Sequence, residues 1–245
     1  MLLKCCYQNI LETSTVTLAT GAEDAAYPLW RLSDRDIGLM FKAQAAVTLT
    51  VKIVQGATLY PVDRLLIPGG HNLSGMVSDI KWSDDDITYT AAVAQWVSAA
   101  GDIDKSWAPL TKKYWKLILT SPGVIPSFAE LFLTSTYTWE KNPPRPTGEF
   151  DPVFNVERLQ SRGGQVRFIT HGQAKRQRTY TMRSCGQAQR ANLEALNNAW
   201  AGSKPFWLYD HEGTLIYGEL RKPIALKEIY YQGYPFVFDF LEVIP

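Results

Sequence analysis

Three adjacent carboxylates, Asp84-Asp85-Asp86, are the residues of this chain best suited by type to hold a cation, since oxygen ligands from a loop suit calcium. Adjacent acids seldom converge on one ion without ligands from elsewhere in the fold, so the reading here is a solvated turn. Asp102 and Asp104 are close in sequence, but nothing in their spacing shows that they meet. His71, His171 and His211 are the chain's imidazoles. None belongs to a His-x-x-x-His metal pattern, and neither Gly-x-Ser-x-Gly nor a phosphate loop occurs. His71 is read as satisfying backbone groups of its own turn, and His211 as solvated at a polar hairpin tip. The expectation is a protein without catalytic residues, metal or cofactor, and not an enzyme.

Two further groups bear on binding. Trp82, Trp96 and Trp107 lie in or beside the loops of the first half. Their faces suit sugar rings and their indole donors suit a wet edge. Core or rim packing leads, with subunit contact and glycan contact as alternatives; His71, Trp82, Trp96 and Trp107 are the candidates for glycan. The second group is basic. Over residues 145–190, Arg158, Arg162, Arg167, Lys175, Arg176, Arg178 and Arg183 greatly outnumber the acids. A solvated strand face leads, with subunit or phosphate contact as the alternative, because arginine is favoured in interfaces. Arg158, Arg167, Arg176 and Arg178 are the candidates for oligomer or tube contacts. No nucleic-acid reading motif accompanies them, so specific nucleic-acid binding is not expected.

The composition bounds these readings. A chain of 245 residues, 46% hydrophobic and 12% aromatic, forms one large or two small packed domains rather than a disordered segment. A net charge of +1 argues against whole-surface attraction to nucleic acid or anionic membrane. No run approaches the ~18 apolar residues of a membrane span, and residues 1–10 lack the apolar region of a signal peptide. Synthesis in the cytosol without membrane insertion is therefore expected. Cys5, Cys6 and Cys185 fit neither a disulfide framework nor metal-ligand spacing and are read as buried thiols.

The elements that must position these residues are mostly strands. Short β-type runs occur at 15–19, 47–54, 64–67, 77–82, 114–120 and 131–139, separated by turn residues. Val47, Leu49, Val51 and Ile53 form nearly a pure one-face pattern. Such a series predicts an all-β sandwich over 1–140. Pro143, Pro144 and Pro146 then mark 141–148 as a stiff linker. In the β-rich remainder, 149–245, alternation around Val166 to Thr170 and again over 179–182 predicts two strands, with Gly163-Gly164 and His171-Gly172 as hairpin turns. Ser184 to Gln187 has the form of a capping box. Leu193, Leu196 and Trp200 then recur at helical spacing before Gly202, predicting a helix over 187–201. Phe206 to Tyr209, Leu215 to Tyr217 and the alternating run 236–243 read as strands, the last held in a sheet at the chain's end.

Two resemblances follow. The first half resembles the discoidin-like, galactose-binding-like β-sandwich family. The resemblance rests on Trp30-Arg31-Leu32-Ser33-Asp34, on Arg64 through Gly75 with its His71-Asn72-Leu73-Ser74-Gly75 turn, on Val77 through Asp85, on Tyr114 through Leu119, and on Ala129 through Leu133. Phe128-Ala129 departs from the isoleucine and glycine common before the family's Glu-Leu pair. The second half resembles the C-terminal part of minor-tail and distal-tail proteins of tailed bacteriophages, with a basic start, a helix, a Pro205-Phe206-Trp207 strand and an aromatic closing strand. Together they imply a structural component of a phage tail tip or baseplate, located in the virion. It would form a homo-oligomeric ring and contact tail tube, hub and fibres. The discoidin-like likeness implies an alternative, a carbohydrate-binding module recognising a cell-surface glycan such as one on the host.

Overall fold

The structure is a computed structural model that describes residues 1–120, 123–142, 151–160, 166–182, 185–200, 204–226 and 234–243. Its fold is mainly β, with a sandwich toward the N-terminus and a β-rich C-terminal part carrying one α-helix, as the strand periodicity predicts. The chain divides into two compact units, Cys6–Tyr137 and a terminal unit made of Met1–Cys5 with Thr138–Ile244. Residues 143–150, which take in most of the proline-rich segment, lie outside the described residues. No described helix is long and apolar enough to cross a membrane.

In the sandwich, one sheet runs in the order Ser14–Thr20, Leu49–Gln55, Tyr114–Thr120, Val77–Ser83, Thr90–Ala91, with Trp96–Val97 pairing to Val77–Ser83. A second sheet runs Phe132–Thr134, Val62–Ile67, Ile103–Leu110. The pairings are antiparallel. Alternation decides what fills the space between them. Trp115, Leu117 and Leu119 stand opposite Ile53, Val51 and Leu49, and all six are buried against Val62, Leu65 and Ile67 of the facing sheet. Their neighbours Lys52 and Lys116 pair with each other in register on the outer face. Ser14–Thr20 is an edge strand, a position that leaves backbone groups available beside it.

The terminal unit holds a seven-stranded sheet among the described residues, ordered Tyr137–Thr138, Lys4–Cys6, Phe206–Tyr209, Leu215–Leu220, Phe236–Glu242, Val166–Met182, Asp151–Gln160. Phe236–Glu242 is paired on both sides and so is an interior strand of the sheet. Phe236, Phe238 and Phe240 are buried while Val237 faces out, the expected half-buried alternation. Phe238 stacks on Tyr180 at 4.6 Å and lies 5.0 Å from Trp139. The helix Gln187–Trp200 buries Leu193 and Leu196; Ser184, the cap expected from the sequence, lies outside the described residues.

One expected turn is absent. His171-Gly172 lies inside the single long strand Val166–Met182. The register against Asp151–Gln160 shifts between Val153 and Asn155, so that Val153 opposes Lys175 and Asn155 opposes His171. The chain absorbs the extra residues as an irregularity in the ladder, a place where glycine is tolerated. The other expected turn, Gly163-Gly164, lies outside the described residues.

Candidate functional site

The sequence candidates scatter. Asp84 pairs with Lys112 at 2.7 Å, and Asp86 pairs with Lys52 while accepting from the Tyr89 hydroxyl at 2.5 Å. Asp85 accepts from the amides of Ile87 and Thr88, which hold its carboxyl down to about 2. Each carboxylate thus serves a different partner. Asp102 accepts from the Gly69 amide at 2.8 Å, whereas Asp104 lies 3.7 Å from Arg64. The His71 ring accepts from the Leu73 amide at 3.2 Å, and burial lowers its pKa, so it serves its own turn as a neutral group. Asn72 clamps that turn to a neighbouring segment, donating to Ile125 O at 2.7 Å and accepting from Ser127 N at 2.7 Å. The turn is built for joining loops. His211 differs from expectation. Its side chain is only 9% exposed, 3.9 Å from Glu212, and not solvated.

Trp82, Trp96 and Trp107 all pack partly buried against the sandwich core. Lys112 Nζ covers the Trp82 ring at 4.0 Å from its centroid, and Lys105 Nζ lies 5.4 Å from that of Trp96. Trp107 donates its indole N–H to Val62 O at 3.0 Å and lies 5.9 Å from Trp115. They build the rim rather than an open platform. Among the arginines, Arg178 is 4% exposed and bonded to fully buried Asp210 at 3.1 Å, which in turn accepts from the amides of Glu212 and Thr214. Arg178 therefore fixes an internal turn and is not part of a surface. Arg176 forms a forked pair with Glu242 of the closing strand. Arg158 and Arg167 lie on described strands, but their side chains are outside the described residues.

The open aromatic surface lies elsewhere. Trp30 is 58% exposed and Tyr27 is 40% exposed. A cleft of about 480 Å³ opens beside Trp30, lined by Val16–Leu18 of the edge strand, by Gly21, Ala22 and Glu23, and by Pro28, Leu29 and Trp30. The local chain explains it. Gly21 takes φ +87, turning the chain off the edge strand, and a Cβ there would meet the Leu49 side chain at 3.1 Å. Backbone bonds from Asp24 N to Lys42 O and from Gln44 N to Ala22 O, at 2.9 and 2.8 Å, then pin the loop. Pro28 precedes the 3-10 helix Leu29–Ser33, whose first amide donates to Glu23 Oε2 at 2.6 Å. With three residues per turn, Leu29 and Leu32 fall on one inward face. Trp30 is left pointing out. Behind it, Arg31 Nη1 donates to Met40 O at 3.0 Å, and its guanidinium lies 5.5 Å from the Tyr27 ring and 5.8 Å from that of Trp30. The aromatic surface is held from behind by packing and hydrogen bonds.

The same turn is tied to a buried acid. Leu131 N donates to Leu32 O at 3.0 Å, and adjacent Glu130 is 0% exposed. Burial first, and then the Asp34 carboxyl beside it, push Glu130 up to about 9 from 4.5, against the pull of Arg35; burial also raises Asp34. An acid raised on folding stabilises fully below its unfolded pKa and loses that contribution as pH rises toward its folded pKa. Sandwich stability should therefore fall from about pH 4.5 to about pH 9. The slope approaches ~1.4 kcal/mol per pH unit. Glu130→Gln should flatten the profile, read by denaturant unfolding at several pH values; an unchanged slope contradicts the assignment.

No protein-family model matches the chain, and no curated protein sequence matches it. Solved structures do. SpGH29 matches at 11% identity over 53% of this chain and 28% of that one, with a TM-score of 0.45, so this chain spans little more than a quarter of that protein. CBM32-1 from a family 31 glycoside hydrolase of Clostridium perfringens matches at 17% identity over 53% of this chain and 99% of the module, TM-score 0.43. CpGH89CBM32-5 from Clostridium perfringens, in complex with GalNAc-β-1,3-galactose, matches at 11% identity over 52% and 100%, TM-score 0.44.

Proposed function

We propose that the sandwich is a carbohydrate-binding module and that the cleft beside Trp30 is its site. One observation carries this reading: a tryptophan 58% exposed on the lip of a cleft, on a turn whose backbone is bonded on several sides. An indole held in water is unfavourable unless something covers it. The apolar face of a sugar ring does so while its hydroxyls stay wet, and the Glu23 carboxylate and Thr17 hydroxyl line the same cleft as polar groups. A volume of about 480 Å³ suits one or two sugar rings. The disaccharide held by CpGH89CBM32-5 is a property of that module; here the cleft supports the reading. Calorimetric titration of the full chain with neutral and amino-bearing oligosaccharides tests it. Saturable binding with Kd in the micromolar to millimolar range is expected, and no heat at millimolar sugar would remove the reading.

A second reading concerns the terminal unit, and connectivity favours it. Met1–Cys5 and Thr138–Ile244 form one body into which the sandwich is spliced, so both chain connections of the sandwich are rooted in that body. Such a unit suits a carrier that displays an inserted module. Given the sequence resemblance, the carrier is read as a ring-forming tail-tip component that meets tail tube, hub and fibres in the virion. Light scattering on the full chain checks this: a closed multimer supports it, and a monomer at high concentration counts against it.

A further inference from the structure

We infer that the Trp30 cleft selects sugars that carry a free, positively charged amino group over neutral or N-acetylated ones. This deepens the carbohydrate reading and rests on it. Glu23 is the one charged side chain among those lining the cleft. Its Oε2 accepts from Leu29 N at 2.6 Å, which fixes the carboxylate in place. No ion pair to Glu23 is present among the described residues. On the same turn Arg31 is not part of the lining; it is bonded to Met40 O and held beside the Tyr27 and Trp30 rings, and Lys42 Nζ lies 5.5 Å from the Tyr27 ring. The cleft therefore presents a fixed carboxylate with no ion-pair partner among the described residues, beside an aromatic face.

An ammonium group answers that arrangement. It donates up to three hydrogen bonds and carries the opposite charge, so a contact to the free Oε1 becomes charge-assisted, about twice as strong as its neutral counterpart. Acetylation removes both the charge and two of the donors. A uronic or sialic acid would place a second carboxylate against the first and is disfavoured on the same ground.

The test is calorimetry on the full chain with three probes of equal length: a glucosamine tetramer, an N-acetylglucosamine tetramer and a glucose tetramer. The glucosamine tetramer is expected to bind about tenfold more tightly than the other two, a gap that narrows at high salt. In Glu23→Gln, which keeps an acceptor for Leu29 N, the gap between the glucosamine tetramer and the other two should shrink to within about twofold. Equal affinity of the wild type for all three overturns the amino-sugar inference and leaves the carbohydrate reading standing. A preference that survives in Glu23→Gln, with unchanged thermal unfolding, also overturns it. Binding of none of the three removes the carbohydrate reading itself.

Discussion

Replacing Trp30 with alanine should lower affinity for any saccharide that binds the sandwich by about 30- to 150-fold, to the edge of detection by calorimetry. The estimate follows from area: covering an indole face removes apolar surface from water and contributes about 2–3 kcal/mol. The same substitution should leave the unfolding midpoint nearly unchanged, because a side chain 58% exposed contributes little to the core. That pairing of effects is diagnostic. Alanine at Trp82, Trp96 or Trp107 should behave in the opposite way, since each packs on the core: stability falls and sugar affinity holds. An affinity loss at Trp107 without one at Trp30 would place the site outside the Trp30 cleft.

Gly218→Ala should prevent the terminal unit from folding stably. A Cβ at this position would lie 2.3 Å from Leu241 O and 2.7 and 2.8 Å from ring carbons of Phe240. The carbonyl belongs to the neighbouring strand and cannot retreat without opening the ladder in which Gly218 opposes Glu242 and Leu220 opposes Phe240. Phe240 is fully buried and packs edge-on to Phe206 at 5.3 Å, so its ring has nowhere to go. Overpacking of this kind typically costs 1–3 kcal/mol, and forcing a paired backbone apart adds lost hydrogen bonds, giving roughly 3–5 kcal/mol in all. Thermal unfolding should show the terminal unit's transition moved far down, with the sandwich transition retained. A wild-type profile would mean that the approach of these two strands is wrong.

Much of the fold was legible because burial imposes a period. Leu49, Val51 and Ile53 alternate with polar neighbours, and each is buried; Phe236, Phe238 and Phe240 announce their strand in the same way. Other elements carry a weak pattern for a physical reason. Ile103–Leu110 is a sheet edge whose Asp104, Ser106, Ala108 and Pro109 face solvent, and its inward residues include Lys105, so little apolar alternation survives. The three-residue strand Lys4–Cys6 is too short to show any period, and its partners lie more than a hundred residues away. His171-Gly172 looked like a turn because composition cannot distinguish a hairpin from an irregular strand.

The site was harder to find. Trp30 enters the sequence reading only as part of a resemblance, whereas the tryptophans beside loops, Trp82, Trp96 and Trp107, pack on the core outside the cleft. The available signal is the three-residue spacing of Leu29 and Leu32 after Pro28, which in a 3-10 turn packs Leu29 partly and Leu32 fully against the core and turns Trp30 outward. Arg178 illustrates the converse problem. Its charge suggested a surface, yet Asp210, thirty-two residues later, draws it inside. Spacing alone does not reveal which charged residues have such a partner.

Chemical-shift mapping during a titration with a glucosamine oligomer tests most directly whether the sandwich binds sugar at Trp30. The predicted result is saturable movement of the Trp30 indole N–H and of the amides of Thr17, Gly21, Ala22 and Glu23, with the indoles of Trp82, Trp96 and Trp107 unmoved. Shifts concentrated at His71, Trp96 and Trp107, or no shift anywhere at millimolar ligand, would contradict it.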